Sequence, residues 1–355
     1  MNEKVYLVAL HKIGIEHKKL FTIFSLNQNY KDFFDKLDYE LLSKLGYKSE
    51  KINSILKYKS KLDLLELEQM ISNLDVKIIT FFDENYPFLL KNIFNIPFLL
   101  YVRGNITSPG FAFIGSRNIS SYGKTVIENF VPEIGKYFTI ISGGAFGCDS
   151  YSHEISIKNE VKTISVIGTG IDINYPVGNK KLYDEIIEKG GAIISIFPFG
   201  EKGNPYNFPI RNEIVAGLSN GIFVVEAREK SGSLITAKLG LDLGKDIFTV
   251  PGDIFKQNSI GCNNLIYSSE AKMVLKPNDV LSEYNILNNL KNKSKISFND
   301  NIEKLIYDKL LIEPLNIDEI AIKLDLEISL TLLKITILEL SGIMKKNESG
   351  KYEII

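Results

Sequence analysis

One pattern repeats through the middle of the chain, from Phe111 to about Pro277: a short apolar run, a glycine-rich turn and a helix-like stretch. The runs are rich in β-branched and aromatic residues, as strands require. This alternation predicts parallel βα units, so the expected fold class is α/β, with a Rossmann-like, doubly wound, mostly parallel sheet. Ligands of such sheets bind at the carboxyl ends of the strands. Those ends carry the glycines here: FAFIGS, FTIISGG, TISVIGTG, GAIISIF, GIFVVEA and DIFTVPG.

Outside this region the pattern changes. Residues 1–75 predict several short helices, either a SAM-like or helix-hairpin-helix domain or a plain packing module. The Rossmann-like domain is expected over residues 76–282. Residues 283–300 are polar and rich in Asn, Lys and Ser, which is typical of a linker. Residues 301–355 predict three short helices and a hairpin turning near Ser349-Gly350, together a winged-helix-like domain.

Charge and cysteine content exclude several classes of protein. The formal net charge is −1, so a nucleic-acid site would have to be a local pocket rather than a basic coat. The two distant cysteines, Cys148 and Cys262, form neither a disulfide framework nor a CxxC metal motif, and they favour a reduced cytoplasmic location. We find no signal peptide and no apolar run long enough to span a membrane.

The first glycine-rich turn is Gly115-Ser116-Arg117. A strand that ends in such a turn before a helix exposes backbone N–H groups, which bind anions such as phosphates. Arg117 could add a bidentate contact. The nearby Lys124 does not belong to a P-loop, because that motif needs a glycine where Asn118 stands.

The second turn, Ser142-Gly143-Gly144, allows a close backbone approach to a ligand. It is not the GxGxxG of a dinucleotide fold, so a nicotinamide cofactor is disfavoured. Asp149 either orients the amides of this turn or caps the helix that follows. His153 has no other histidine near it in sequence, which favours a structural role over a ligand or a base.

Lys180 and Tyr183 are three residues apart and therefore share a helix face. Such a pair can hold a phosphate and a stacked base of a single strand, or it can be an exposed Lys above a packed Tyr. Both interpretations stay open here. Arg211-Asn212 lies in a further segment, and Arg211 is one of only four arginines in a chain with 42 basic residues. A planar fork of donors suits phosphate recognition.

Together these segments resemble the DprA family, also called Smf, over about residues 78–281. The resemblance implies a Rossmann-like domain with a helical N-terminal domain and, in many members, a winged-helix C-terminal domain. It also implies a function without catalysis, cofactor or metal. Family members bind single-stranded DNA during natural transformation, protect it and load the RecA recombinase, and they form homodimers. The segments that carry the resemblance are FIGSR, SGGAFGCDSYSH, VIGTGIDINYP, FPIRNEIVAGLSNGIFVVEA, SGSLITA and VPGDIF.

By motif match, the resemblance assigns the phosphate pocket to the two turns and to the Arg-Asn pair. Three further residues of the helix and loop between them complete the predicted set. The predicted DNA-binding residues are Gly115, Ser116, Arg117, Ser142, Gly143, Gly144, Lys180, Tyr183, Lys202, Arg211 and Asn212.

The chain departs from the family pattern at three positions. Phe146 stands where the family often has Arg, Glu213 replaces a second Arg, and Ile196 replaces a Glu. Glu213 would repel phosphate if it faced the pocket. We therefore expect these departures to affect the strength of binding.

Two other classes of function are weighed against DNA binding. Lysine-decarboxylase-like (LOG-type) phosphoribohydrolases share this style of fold and cleave nucleoside monophosphates. Their PGGxGTxxE motif is absent, and the nearest segment, SGSLITA, has no acid in register. The third class is a protein-interaction adaptor.

The tail carries little positive charge. From Ser294 to Ile355 there are eight Lys, no Arg and eleven acidic residues, a balance of −3. Its third helix has one cation, Lys334. Leucine and isoleucine form two apolar stripes on this helix: the expected core-facing stripe is Leu330, Leu333, Ile337 and Leu340, and the second, suited to another protein surface, is Leu332, Ile335 and Leu338. Phosphate contacts need local positive charge. The tail is therefore predicted to dock a protein, its own chain or a partner, rather than duplex DNA.

Overall fold

The computed structural model describes residues 2–25, 29–286, 298, 300–311, 313–341, 343–347 and 350–354. It divides the chain into two compact units, Met1–Val280 and Leu281–Ile355. The first holds a set of helices and a nine-stranded sheet, and the second holds the helices and hairpin of the tail. Most of the segment predicted as a linker, 283–300, lies outside the described residues.

Short helices precede the sheet, as the apolar spacing predicts. Polar side chains begin several of them: Asn2, Asn29, Asp38 and Asp63 each accept a hydrogen bond from a first-turn N–H group. The first helix is buried from Val5 through His11 and forms the centre of this layer. The helices are α1 Glu3–Lys12, α2 His17–Ser25, α3 Tyr30–Lys36, α4 Tyr39–Lys44, α5 Ser49–Lys59 and α6 Leu64–Asn73.

The sheet has the strand order β1-β2-β6-β5-β4-β3-β7-β8-β9. Along this order, every neighbouring pair between β6 and β9 is parallel. In contrast, β2 runs antiparallel to both β1 and β6. The predicted Rossmann-like, mostly parallel α/β fold is confirmed. The strands are β1 Lys77–Thr80, β2 Leu99–Gly104, β3 Gly110–Ile114, β4 Thr139–Ser142, β5 Thr163–Val166, β6 Ala192–Ser195, β7 Gly221–Val224, β8 Asp246–Thr249 and β9 Lys272–Met273.

The side of the sheet on which successive strands are added changes at β3. From β3 the sheet grows through β4, β5 and β6 on one side, and then through β7, β8 and β9 on the other. The crevice at the carboxyl ends of β3 and β7 is therefore the topological switch point, where open α/β sheets bind their ligands. The helices that follow the strands are α7 Ser121–Gly135, α8 Cys148–Lys158, α9 Lys180–Glu188, α10 Asn207–Gly217, α11 Gly232–Asp242, α12 Gln257–Tyr267 and α13 Pro277–Glu283.

Two histidines join the N-terminal helices to the sheet. The Nδ1 atom of His11 lies 2.7 Å from the Tyr101 hydroxyl on β2. The Nε2 atom of His17 lies 2.9 Å from the Ile196 carbonyl oxygen, to which it donates. Burial lowers the pKa of His17 to about 4 and the pKa of His11 well below its ordinary value. Both imidazoles are therefore neutral at pH 7, as a buried contact requires.

The tail forms a small unit with its own core. Its helices are followed by an antiparallel pair in which Met344 lies opposite Ile354. Asn316 and Glu319 make a capping box at the start of the second helix. Ser349, at the predicted turn, lies outside the described residues. The elements are α14 Asn301–Leu310, α15 Ile317–Leu324, α16 Ile328–Leu340, β10 Met344–Lys346 and β11 Tyr352–Ile354.

The predicted core face of α16 is wrong. Thr331, Ile335 and Leu338 are buried, whereas Leu333 and Leu340 are 55% and 84% exposed. The sequence offered two apolar stripes on this helix, and only packing against α14, α15 and β10 decides between them. Exposed leucines thus remain on the outer face.

Candidate nucleic-acid interface

A cavity of about 520 Å³ lies at the switch point. It is formed by the turn after β3, the turn after β4, the start of α10 and the loop from β7 into α11. Three separate segments of the predicted site therefore meet in one place. Of the predicted residues, the cavity wall contains Gly115, Ser116, Arg117, Gly143, Arg211 and Asn212.

Three cations on the cavity wall are exposed: Arg117, Arg228 and Lys230. Within the part of the chain that the structure describes, none of the three forms an ion pair. The Arg117 guanidinium lies over the Phe208 ring, 5.6 Å from its centroid, and Arg228 Nε donates to Asn258 Oδ1 over 3.2 Å. Such cations remain available for phosphate oxygens.

Arg211 has a different environment, because it is 6% exposed. Its Nη1 atom donates to the Gly143 carbonyl and, over 2.6 Å, to the Val166 carbonyl, and its Nε atom donates to Asn212 Oδ1. Burial lowers the pKa of Arg211, and the nearby Asp149 counters that shift. Arg211 therefore connects the carboxyl ends of β4 and β5 to α10, while its guanidinium still lines the cavity.

Gly143 must be a glycine for steric reasons. A Cβ atom at this position would lie 2.7 Å from Asp149 Oδ2 and 2.8 Å from the Arg211 guanidinium carbon. Real Cβ atoms do not approach other atoms so closely, so any side chain would displace the buried side chains of Asp149 and Arg211. The second glycine turn thus serves close packing of charged groups beneath the cavity.

Asp149 orients the loop rather than capping α8. The helix begins at Cys148, and Asp149 Oδ2 accepts a hydrogen bond from the Ala145 N–H, 3.2 Å away. Burial raises the pKa of Asp149, and the positive charge of Arg211 partly offsets this. Of the two roles left open by the sequence, the structure shows the orientation of a loop amide.

Tyr183 is packed, not exposed. It is 1% exposed, and its hydroxyl donates to the Tyr175 carbonyl over 2.7 Å and to the Gly144 carbonyl over 3.2 Å. A base needs an open ring face to stack. The stacking role predicted for Tyr183 is therefore wrong; as in the alternative, Lys180 is exposed and Tyr183 is packed.

The remaining predicted residues lie off the cavity wall. Ser142 is fully buried and its hydroxyl donates to the Phe113 carbonyl, 2.6 Å away. Lys180 and Lys202 are exposed but line neither this cavity nor the pocket beside it. Their contact with a strand stays a prediction. His153 is fully buried against Thr163, as a structural histidine would be.

Sequence reasoning left Arg228 and Lys230 out of the predicted site. They follow β7, and the start of α11 beside them is capped by Ser231, whose hydroxyl accepts from the Ser233 N–H. The signal was present, because Arg228 is one of four arginines and precedes a Ser-Gly-Ser helix start. Arg228 and Lys230 could be assigned to the site only from the strand order, which places β7 next to β3.

A smaller pocket of about 70 Å³ adjoins the cavity and shares Arg117, Gly143 and Arg211 with it. We call it the aromatic pocket. Phe146 and Tyr175 on its wall are 54% and 42% exposed. The pocket is lined by Arg117, Gly143, Gly144, Ala145, Phe146, Gly168, Tyr175, Pro176, Phe208 and Arg211.

Comparison with known proteins decides the family. The model of the DNA recombination-mediator protein A family matches residues 77–285, more than half of the chain. The chain belongs to this family. The match begins at β1 and runs past β9, so it contains the whole cavity wall.

The chain is also similar in sequence and structure to individual members of this family. The chain is 40% identical to DNA processing protein DprA of Streptococcus pneumoniae over 57% of this chain and 72% of that protein. It is 38% identical to DprA of Bacillus subtilis over 59% and 71% of the two chains. The X-ray structure of DprA from S. pneumoniae superposes with a TM-score of 0.66 at 31% identity, covering 79% of this chain and 97% of that one.

A second solved structure concerns ligand binding. It describes a single-stranded DNA binding mode of DprA from Helicobacter pylori. This chain matches it with a TM-score of 0.54 at 26% identity, over 60% of this chain and 97% of that one.

The departures from the family pattern fall in different places. Glu213 is buried and faces away from the cavity, because its carboxylate accepts hydrogen bonds from both the N–H and the side-chain amide of Asn95. Ile196 is buried as well. Neither can repel a phosphate in the cavity. Phe146 alone projects beside it.

Among the residues described, no three His, Cys, Asp or Glu side chains are grouped as metal ligands would be. The helices described include none with the length and apolarity needed to cross a membrane.

Proposed function

We propose that the chain binds single-stranded DNA with the phosphates of the strand in the switch-point cavity. The observation that carries this proposal is the set of exposed cations, Arg117, Arg228 and Lys230, around a cavity whose wall also includes the glycine-rich turn after β3. Phosphates are recognised by such unpaired cations and by backbone N–H groups. The single-strand binding mode described for the H. pylori relative supports the choice of ligand.

The direct test measures the full chain with a labelled oligothymidylate and with a duplex of equal length. We expect tight binding to the single strand, weakened by salt because phosphate contacts release counterions, with a slope near −0.7 per contact. Equal affinity for both ligands, or an affinity independent of salt, would overturn the proposal.

We propose further that the chain acts by binding and not by catalysis. Hydrolysis needs an activated nucleophile or a positioned acid and base. Asp149 is the one acid among the described residues of the cavity wall, and it is engaged by the Ala145 amide and by the charge of Arg211. Turnover of AMP or ATP by the purified chain, lost in Asp149→Asn, would instead favour the LOG-type alternative.

In the cell, we propose, the chain protects DNA taken up in natural transformation and loads the RecA recombinase onto it. Cys148 and Cys262 are buried and not joined in a disulfide, which fits action in the reducing cytoplasm. The test is RecA filament assembly on a strand already covered by single-strand-binding protein. The full chain should shorten the lag, and an unchanged lag would count against a loading role.

We also propose that the chain forms a homodimer through the β9 edge of the sheet. Tyr267, Met273 and Leu275 are 92%, 53% and 72% exposed around this edge. Among the described residues no strand pairs with the outer side of β9, and such an edge beside apolar side chains is a ready pairing surface. Sedimentation should show a dimer that Leu275→Glu converts to a monomer, whereas Phe88→Glu, another exposed apolar position, should leave it intact.

A further inference from the structure

The loop between β4 and α8 carries one large aromatic side chain into solvent. Phe146 is 54% exposed, although it lies between residues that are mostly buried. The flanking glycines, Gly144 and Gly147, have φ values of +71° and +84°, which side chains rarely tolerate. These two left-handed positions turn the chain sharply and leave Phe146 at the apex of the loop.

Hydrogen bonds to buried side chains fix the backbone of this loop. Asp149 accepts from the Ala145 N–H, and the Ser150 hydroxyl donates to the Ala145 carbonyl over 2.6 Å. The Gly144 carbonyl accepts from the Asn179 amide over 2.9 Å and from the Tyr183 hydroxyl over 3.2 Å. Phe146 therefore stands on fixed backbone, and little conformational entropy would be lost when a ligand packs on its ring.

The loop also lies directly against the turn that carries Arg117. A Cβ atom on Gly147 would come within 2.4 Å of the carbonyl oxygens of Ser116 and Arg117, so the two backbones are in contact. Arg117 itself lines both the switch-point cavity and the aromatic pocket. A strand with a phosphate on Arg117 thus has its neighbouring base within reach of Phe146.

Tyr175 is a second exposed aromatic residue, and its backbone is held by the same Tyr183 hydroxyl. Tyr175, 42% exposed, also lines the aromatic pocket, and its carbonyl accepts from the Tyr183 hydroxyl that supports Gly144. The Tyr175 ring lies 5.7 Å from the Phe208 ring, and Arg117 occupies a face of that ring. Phe146 and Tyr175 hence offer open aromatic surface beside the phosphate contacts.

We propose that Phe146, with Tyr175 beside it, is a platform on which a base of the bound strand stacks. This inference rests on the proposed single-strand function and adds the part of the nucleotide that Arg117 does not contact. An aromatic face beside a cation is the arrangement that single-strand-binding proteins use, and stacking accepts any base. Without an acceptor or donor aimed at a base edge from the Phe146 ring, binding here is independent of sequence.

The test compares the full chain and its Phe146→Ala variant on two strands of equal length, an oligothymidylate and an abasic strand with the same phosphates. Phe146→Ala should weaken binding to oligothymidylate about 5- to 100-fold, as expected for one lost stacking contact. Both proteins should bind the abasic strand equally and show the same salt slope on oligothymidylate, because no phosphate contact is lost.

Three further variants sharpen the result. Phe146→Trp should retain the wild-type affinity, and Phe88→Ala, at a 74% exposed phenylalanine outside both cavities, should do the same. Phe146→Arg should restore affinity for oligothymidylate, raise affinity for the abasic strand above the wild-type value, and steepen the salt slope by about 0.7, because it replaces a stacked base by a phosphate contact.

Equal affinity of Phe146→Ala and wild type for oligothymidylate would overturn the platform. So would an equal loss on the abasic strand, which would show that the substitution disturbs the loop. Failure of the wild-type chain to bind either strand would instead overturn the proposed function, and the platform with it.

Discussion

The switch-point cavity and the tail unit differ in how their cations are paired. At the switch point, Arg117 and Arg228 are exposed and, among the described residues, are in no ion pair. In the tail unit, the one cation of α16, Lys334, lies 2.5 Å from Asp300 and 3.1 Å from Glu303. Its hydrogen bond to Asp300 raises its pKa.

The difference bears on where a phosphate could be held. A phosphate gains most from a cation that no carboxylate already holds. Lys334 instead joins α16 to the start of α14 and is 13% exposed. Exposed Leu332 and Leu333 occupy the outer face of α16. We therefore retain the proposal that the tail docks a protein.

The largest loss is expected from Arg211→Ala. It leaves the buried carbonyls of Gly143 and Val166 without their donor and Asp149 without its neighbouring charge. We expect the free energy of unfolding to fall by roughly 2–5 kcal/mol and the single-strand affinity by about a hundredfold or more. Chemical denaturation and fluorescence anisotropy measure the two. Wild-type values for Arg211→Lys would show that charge alone suffices and that the fork geometry is dispensable.

Arg117→Ala should affect binding alone. A charge-assisted phosphate contact contributes roughly 1.5–3 kcal/mol, so affinity should fall at least about tenfold, with a salt slope shallower by about 0.7. The melting temperature should not change, because Arg117 is exposed. Arg103→Ala is the matched control, since Arg103 pairs with Asp184 away from the cavity. A folded Arg117→Ala protein with unchanged affinity would remove the cavity from consideration.

Tyr183→Phe should affect stability more than binding. The substitution removes the hydroxyl that supports the Gly144 and Tyr175 carbonyls but keeps the buried ring. We expect a loss of about 1–2 kcal/mol in the free energy of unfolding and less than about a threefold change in affinity. A tenfold loss of affinity at unchanged stability would restore the stacking role that burial argues against.

The smallest effect is expected from Lys334→Ala. It should leave single-strand affinity and its salt slope as they are, and the full chain should not acquire or lose duplex binding. Lys345→Ala, which removes an exposed Lys paired with Glu353, serves as the control in the same unit. A clear drop in DNA affinity for Lys334→Ala alone would erase the contrast between the two regions.

The sequence predicts most of the sheet because β3, β4, β5 and β8 are apolar runs that end in turns containing glycine. It predicts Gly143 and Arg117 for the same reason. It fails at Tyr183, since spacing puts Lys180 and Tyr183 on one helix face without saying which neighbour covers the ring. Arg228 was missed because its nearness to Arg117 depends on strand order, a long-range property.

The three buried histidines of the chain make its folding stability depend on pH. Burial lowers the pKa of His153 to about 3 and that of His17 to about 4, and it lowers the pKa of His11 as well. An unfolded chain takes up protons at these imidazoles near pH 6.5, whereas the folded chain does not until far lower pH. Stability is therefore lost as the pH falls from about 6.5 towards 4. His11 contacts β2, His17 contacts the chain just after β6, and His153 contacts β5. Mild acid should therefore weaken both the attachment of the N-terminal helices and the parallel sheet itself.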